Sequence, residues 1–220
     1  QSWQMHSLPT LDPYVFKNSK MAKMAKVQRK LKVYIYADSH GCDHHNFPEQ
    51  FKPLFTYSKR FKIQKIYAKP GCVMNQQKVQ EITERATSVE PSNQVVCIFM
   101  GGNNLRRGQN RPQDVVRHYR DILDHCHTIQ NCRVVFCSLI PGIGHDENSK
   151  EDFKTMNDLL SELCHSEDYN GFASFCKFTR KLCINGRLNE ELYEDQVHLT
   201  QAGSQIVAKA IHSHLHGLPK

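Results

Sequence analysis

Five residues scattered over this 220-residue chain have the types that ester chemistry needs: Ser39, Gly71, Asn103, Asp195 and His198. A serine hydroxyl is a weak nucleophile until a base takes its proton. His198 can be that base, and Asp195, three residues earlier, can hold the imidazole tautomer and stabilise its charged form. The acyl intermediate develops a negative oxygen that needs hydrogen-bond donors. The backbone N–H groups of Ser39 and Gly71 and the side-chain amide of Asn103 would supply three. Each piece alone is unspecific, since a strand-end Asp-Ser, a Gly-Gly-Asn-Asn turn and an Asp-x-x-His all arise by chance. Their weight lies in occurring together, in this order, each at a strand end or a helix entry.

A sheet must bring the five together. Leu31-Lys-Val-Tyr-Ile-Tyr-Ala37 reads as a buried strand running into Asp38-Ser39-His40-Gly41, and in an open α/β sheet ligands bind at the carboxyl ends of strands. Further strands are predicted over 61–68, closed by Lys69-Pro70-Gly71, and over 94–100, ending in Gly101-Gly-Asn-Asn104. A fourth covers 132–139 before Pro141-Gly142, and a shorter fifth covers 172–178. Helices alternate with them: one within 47–57, one capped by Asn75, one entered at Pro112, one capped by Ser149 with Asp152, and one capped by Thr200. This alternation predicts a three-layer α/β/α domain over 31–216, built on a mainly parallel five-stranded sheet.

In that setting the chain resembles the SGNH/GDSL hydrolase superfamily over the whole of 31–216. The Gly-Asp-Ser block appears as Ala37-Asp38-Ser39, the second block contributes Gly71, and the Gly-x-Asn-Asp block appears as Gly101-Gly102-Asn103-Asn104. The last block is Asp195-Gln-Val-His198, followed by a Leu-Thr-x-x-Gly run from Leu199 to Gly203; Ser138-Leu-Ile-Pro141 resembles the family's fourth-strand ending. The resemblance implies a flavodoxin-like fold with strand order 2-1-3-4-5. It also implies Ser39 as nucleophile, His198 as base, Asp195 as its partner, and an oxyanion hole from Ser39, Gly71 and Asn103. The implied activity is that of a serine esterase acting on short-chain, chiefly acetyl, carboxylic esters, lipid-derived ones included, through an acyl-enzyme and with no metal or cofactor. Two residues depart from the pattern: Ala37 replaces a glycine, and Asn104 replaces an aspartate thought to brace the loop. A narrower resemblance, carried by a cysteine-rich domain behind a basic arm, is to the esterase domain of first-open-reading-frame proteins of vertebrate non-LTR (LINE-type) retrotransposons. Those proteins couple such a domain to nucleic-acid-binding and self-associating segments.

Competing readings are weaker. Ala37-Asp-Ser-His-Gly41 could be the nucleophile elbow of an α/β-hydrolase, but that fold places several strands ahead of its serine and only one precedes Ser39. No Gly-x-Gly-x-x-Gly follows the first strand, against a dinucleotide site. Asp43 with His40, His44 and His45, and His212, His214 and His216 near the end, are metal-ligand types. No acid–histidine spacing completes a site, and adjacent histidines on such a loop read as surface residues.

Composition sets the frame. With 39% hydrophobic and 23% charged residues the chain is globular, and no apolar run approaches the ~20 residues needed to cross a bilayer. Its first residues lack the basic-then-apolar order of a secretory signal, and the opening on Gln1 is expected of a fragment or a processed chain. Nine dispersed cysteines with no Cys-x-x-Cys predict free thiols in a reducing compartment, hence the cytoplasm with nuclear access. Of the net charge of +7, +6 falls in residues 1–32, which hold Lys17, Lys20, Lys23, Lys26, Arg29, Lys30 and Lys32 against Asp12. Residues 1–30 are therefore a basic arm, either a linker or a contact for nucleic acid or an anionic membrane. A second basic stretch runs from Lys52 to Lys78 with no acid between Gln50 and Gln80; on an edge strand it discourages edge pairing, or it forms a polyanion-binding face. Arg106 and Arg107, close behind Asn103, are candidates to meet an anionic head group of the substrate.

Overall fold

The computed structural model describes residues 30–42, 47–89, 93–106 and 110–219. The expected basic arm lies outside them apart from Lys30, as do Asp43, His44, His45 and Arg107. The strands are β1 (Leu31–Ala37), β2 (Phe61–Ala68), β3 (Gln94–Phe99), β4 (Cys132–Cys137) and β5 (Ala173–Cys176). They form one five-stranded sheet in the order β2-β1-β3-β4-β5, parallel at every pairing. Fold and strand order agree with the expectation.

Side-chain alternation explains the three layers. Along β3 every residue is buried, because Val96 and Ile98 face one side while Val95, Cys97 and Phe99 face the other. The first face packs against α2 (Gln76–Ser88), α4 (Pro112–His127) and α5 (Glu147–His165), through residues such as Ile82, Tyr119 and Met156. The second packs against α1 (Phe47–Phe51) and α6 (Gln201–Gly217), through Phe51, Val207 and Ile211. Two apolar faces of one sheet are covered from both sides, and burying them supplies most of the driving force.

The first helix falls within 47–57 as expected; it ends at Phe51 and continues as a 3-10 turn over Lys52–Phe55, because Pro53 has no N–H for a helical bond. Other local expectations need correction. The cap of α5 is Asp146, whose carboxylate accepts from the Ser149 N–H at 2.7 Å; Ser149 lies inside the helix. Asn75 and Thr200 cap α2 and α6 as expected, accepting from Lys78 and Gly203. The fifth strand is only Ala173–Cys176. A short helix, α3 (Gly102–Leu105), and a small hairpin of β6 (Cys183–Ile184) and β7 (Arg187–Leu188) were not anticipated. All nine cysteines are free thiols.

The register fixes where the chemistry collects. Ala37, the last residue of β1, pairs with Ala68 on one side and Phe99 on the other. The loops carrying Ser39, Gly71 and Asn103 therefore leave the sheet at the same level of the same edge.

Candidate active site

Ser39 opens a 3-10 turn, Ser39–Gly41, capped by Asp38, whose carboxylate accepts from the His40 N–H. As the first residue of that turn, Ser39 has an N–H with no hydrogen-bond partner among the described residues, as the opening of a helical turn leaves it. Its side chain is buried at the bottom of a cleft of about 10 Å³, also lined by Asn103, Arg106, Ile140, Phe153 and Val197. That volume is about one water molecule.

The departure at Ala37 has a steric counterpart. A Cβ at Gly41 would overlap the Ala37 methyl. The volume added at the end of β1 is thus the volume withheld four residues later. β1 runs into the turn with no positive φ at Ala37.

The two outer loops are tied together through Asn103 and Asn104. The Asn103 Nδ2 donates to the Cys72 carbonyl at 3.0 Å, which uses one of its two hydrogens and leaves the other for an oxyanion. Gly71 has φ +68 and open space around its α-carbon, and its N–H has no partner among the described residues. Gly71 does not line the small cleft; the Asn103–Cys72 bond is what links it to the site. Asn104 is 5% exposed, accepts from the Met74 N–H at 2.7 Å and donates to the Met74 carbonyl at 2.8 Å. Asparagine therefore braces the loop with both ends of its amide.

This double bond makes the aspartate usual in the family a poor substitute. In Asn104→Asp one carboxylate oxygen would face the Met74 carbonyl with no hydrogen between them. We expect a loss of about 2 kcal/mol and a Tm lower by roughly 4–8 °C, measured by thermal unfolding at pH 7. Burial raises the carboxyl pKa, so the protonated form regains a donor. The deficit should be present at neutral pH and shrink as the pH falls toward about 4.

The loop before α6 that carries Asp195 and His198 is held from several sides. The Tyr193 hydroxyl donates to the Pro141 carbonyl at 2.9 Å, and the Gly144 N–H to the Gln196 carbonyl at 3.2 Å. Within the loop the Glu194 N–H donates to the His198 carbonyl at 2.8 Å. Asp195 then makes three contacts: its Oδ1 accepts from the Val197 and His198 N–H groups at 2.6 and 2.7 Å, and its Oδ2 lies 2.6 Å from His198 Nδ1. Partial burial would raise its pKa, but the His198 ring and those two N–H groups outweigh it and hold the carboxyl well below the usual range. An ionised carboxylate on Nδ1 fixes the proton there and turns Nε2 into the basic nitrogen. Ser39 makes no hydrogen bond to that ring, an open geometry common before substrate binds.

Of the two arginines, Arg106 lines the Ser39 cleft and Arg107 lies outside the described residues. The sequence reading missed His145 and Phe153, which wall the cleft, and the Cys72 and Val197 carbonyls. It also took His40 for a surface residue, whereas its side chain is 10% exposed and paired with Asp38. Its place directly after Ser39 was the available signal. Among the described residues no group of three or more His, Cys, Asp or Glu could hold a metal ion. His214 instead bonds Ser174 at 2.9 Å, and the His212 and His216 rings pack around Phe55.

Comparison with known proteins bears on family and fold. A sequence model of the GDSL-like lipase/acylhydrolase family matches residues 40–206. Curated proteins yield no match. Among solved structures, a member of the lipolytic G-D-S-L family from Veillonella parvula is similar with a TM-score of 0.70 at 12% identity, covering 86% of this chain and 100% of its own. A GDSL-like lipase from Bacteroides thetaiotaomicron gives 0.63 at 15% identity, covering 87% and 92%. An acetyl esterase solved with an acetate ion gives 0.62 at 14% identity, covering 86% and 97%. At these identities the likeness is one of fold.

Proposed function

The chain belongs to the GDSL-like lipase/acylhydrolase family, and from that premise we propose that it is a serine esterase cleaving short-chain, chiefly acetyl, carboxylic esters. The observation that carries the reading is the Asp195–His198 pair at 2.6 Å, on a loop whose Val197 shares one cleft with Ser39 and Asn103. Ser39 Oγ attacks the ester carbonyl while His198 takes its proton. The developing oxyanion is met by the Ser39 and Gly71 N–H groups and the second Asn103 amide hydrogen. His198 then protonates the leaving alcohol, and the acyl-enzyme is hydrolysed by the same steps with water as the nucleophile.

The acyl group must sit in a cleft walled by Ile140, His145 and Phe153 with about 10 Å³ of free volume, which suits a methyl group and crowds a longer chain. Turnover of p-nitrophenyl esters should therefore fall from acetate to butyrate by about 10²-fold in kcat/KM, the low end of the discrimination such pockets give for two methylenes. A fluorophosphonate should leave a single adduct on Ser39, read by mass spectrometry. Hydrolysis no faster than the buffer blank, together with no adduct, would sink the reading.

Arg106 on the cleft wall favours an ester whose alcohol portion carries an anionic group, as lipid-derived esters do. A second reading concerns another surface. A groove of about 940 Å³ beside β2 carries Lys30, Lys52, Lys62 and Lys65 over Phe55 and Ile66, and with the basic arm it would bind nucleic acid or an anionic membrane. It leaves the esterase chemistry in place. The setting we propose is a cytoplasmic protein with nuclear access, encoded by a LINE-type retrotransposon and self-associating through segments outside this chain. The motifs and the basic arm support that setting, as do the nine free thiols.

A further inference from the structure

His40 follows the nucleophile directly, yet the esterase mechanism above gives it no role. Its ring lies between two hydrogen-bond partners: Nδ1 is 3.1 Å from Asp38 Oδ1, and Nε2 is 3.2 Å from the Val197 carbonyl oxygen. A carboxylate and a carbonyl both accept and neither donates, while a neutral imidazole carries only one N–H. Both contacts are hydrogen bonds only if the ring carries two protons. The ring is 10% exposed and borders the small cleft, so water has little access to it. Phe99 flanks it with ring centroids 6.0 Å apart, and the His198 ring lies 5.9 Å away on the other side.

Val197 is the residue between Asp195 with its neighbour Gln196 and His198. We propose that His40 is a positioning residue for the base: as an imidazolium it donates one N–H to Asp38 and the other to the Val197 carbonyl, clamping the Asp195–His198 loop onto the turn that carries Ser39. The proposal rests on the esterase reading for its effect on rate, whereas the clamp itself is a statement about two hydrogen bonds. The pair formed with Asp38 is neutral overall, so the clamp adds no net charge beside the base.

The electrostatics agree with the geometry. Burial of the ring opposes its charge, but the hydrogen bond and charge of Asp38 and the bond to the Val197 carbonyl outweigh it and raise the His40 pKa above 6.5. The charged or titratable groups facing it are Asp38 on its own turn, His198 on the catalytic loop, Arg106 at the end of α3 and His145 between β4 and α5. Arg106 works against the charge. A raised histidine value means that the clamp is complete below pH 6.5 and is lost as the pH rises through the folded value.

Two measurements on the full chain test this. Nitrogen-15 NMR of the histidine rings between pH 5 and 9, with His40 assigned by its loss in His40→Phe, should show two protonated ring nitrogens at pH 6.5. The midpoint should lie above that of a histidine in an unstructured peptide. A neutral His40 ring at pH 6.5 would overturn the clamp. In p-nitrophenyl acetate hydrolysis, His40→Phe keeps a ring against Phe99 but removes both donors, and should lower kcat about 10²-fold with KM changed by less than about threefold. His40→Gln, whose amide can still donate to the Val197 carbonyl, should recover about tenfold of that loss. The fall of wild-type kcat at alkaline pH should vanish in both variants. Wild-type kcat in a folded His40→Phe protein would overturn the positioning role. If neither variant folds, the ring titration of the wild type decides, with His40 assigned instead by through-bond correlation of its ring to its own backbone. If the wild type hydrolyses nothing, it is the esterase reading that fails, and the titration still decides the clamp.

Discussion

Exchanging Asp195 for Asn should lower kcat for acetyl ester hydrolysis about 10⁴-fold while leaving the fold in place. The direction follows from how the carboxylate is used. Its Oδ1 accepts from the Val197 and His198 N–H groups, and its Oδ2 meets His198 Nδ1. An asparagine must keep its oxygen toward the two backbone donors, so its NH₂ turns to Nδ1. His198 then carries its proton on Nε2, the nitrogen that has to accept one from Ser39. The Asp195 side chain is 55% exposed, and an exposed pair contributes little to stability, so thermal unfolding should barely change. Steady-state kinetics beside a melting curve check both halves. A variant within tenfold of wild-type kcat would remove Asp195 from the mechanism.

The largest effect on stability is expected at Gly101. Its φ of +116 lies in the region that side chains avoid, and a Cβ there would overlap the Tyr119 hydroxyl. Tyr119 is fully buried on α4, and that hydroxyl donates to the Met100 carbonyl at the end of β3. Gly101→Ala therefore combines backbone strain of roughly 1–3 kcal/mol with a collision against a side chain that has no room to retreat. A loss of about 3 kcal/mol or more should lower Tm by roughly 6–12 °C and displace Asn103, two residues on. Adding Tyr119→Phe removes the oxygen but not the strain, so the double variant should recover part of the lost Tm. No recovery would mean that strain alone carries the cost.

Legibility from sequence followed the kind of atom involved. The roles proposed for Ser39, Asn103, Asp195 and His198 use their own side chains, and each sits where a strand ends or a helix begins, so residue type and spacing are enough to nominate them. The Cys72 and Val197 carbonyls belong to the backbone and would be there whatever residue occupied those positions. Nothing in the residue letters announces them. His40 was read as exposed because its neighbours His44 and His45 suggested a polar loop, whereas its pairing with Asp38 takes it inside. At α5 either Asp146 or Ser149 could cap a helix, and only the backbone path selects Asp146. The β6–β7 hairpin has two residues per strand, too few to show a period.

The contact between Ala37 and Gly41 has a bearing on history. The two positions share room for one methyl group. A lineage that exchanged the Ala37 methyl for a side chain at 41 could do so in only one order without a collision. The methyl at 37 must be shed before one is gained at 41, and on the way back the methyl at 41 must go first. Both journeys pass through a sequence with glycine at both places, which is less well packed but still able to close the turn on which Ser39 rides. Chains that carry a side chain at both positions should be rare among relatives of this protein, because the turn would have to shift to separate the two groups.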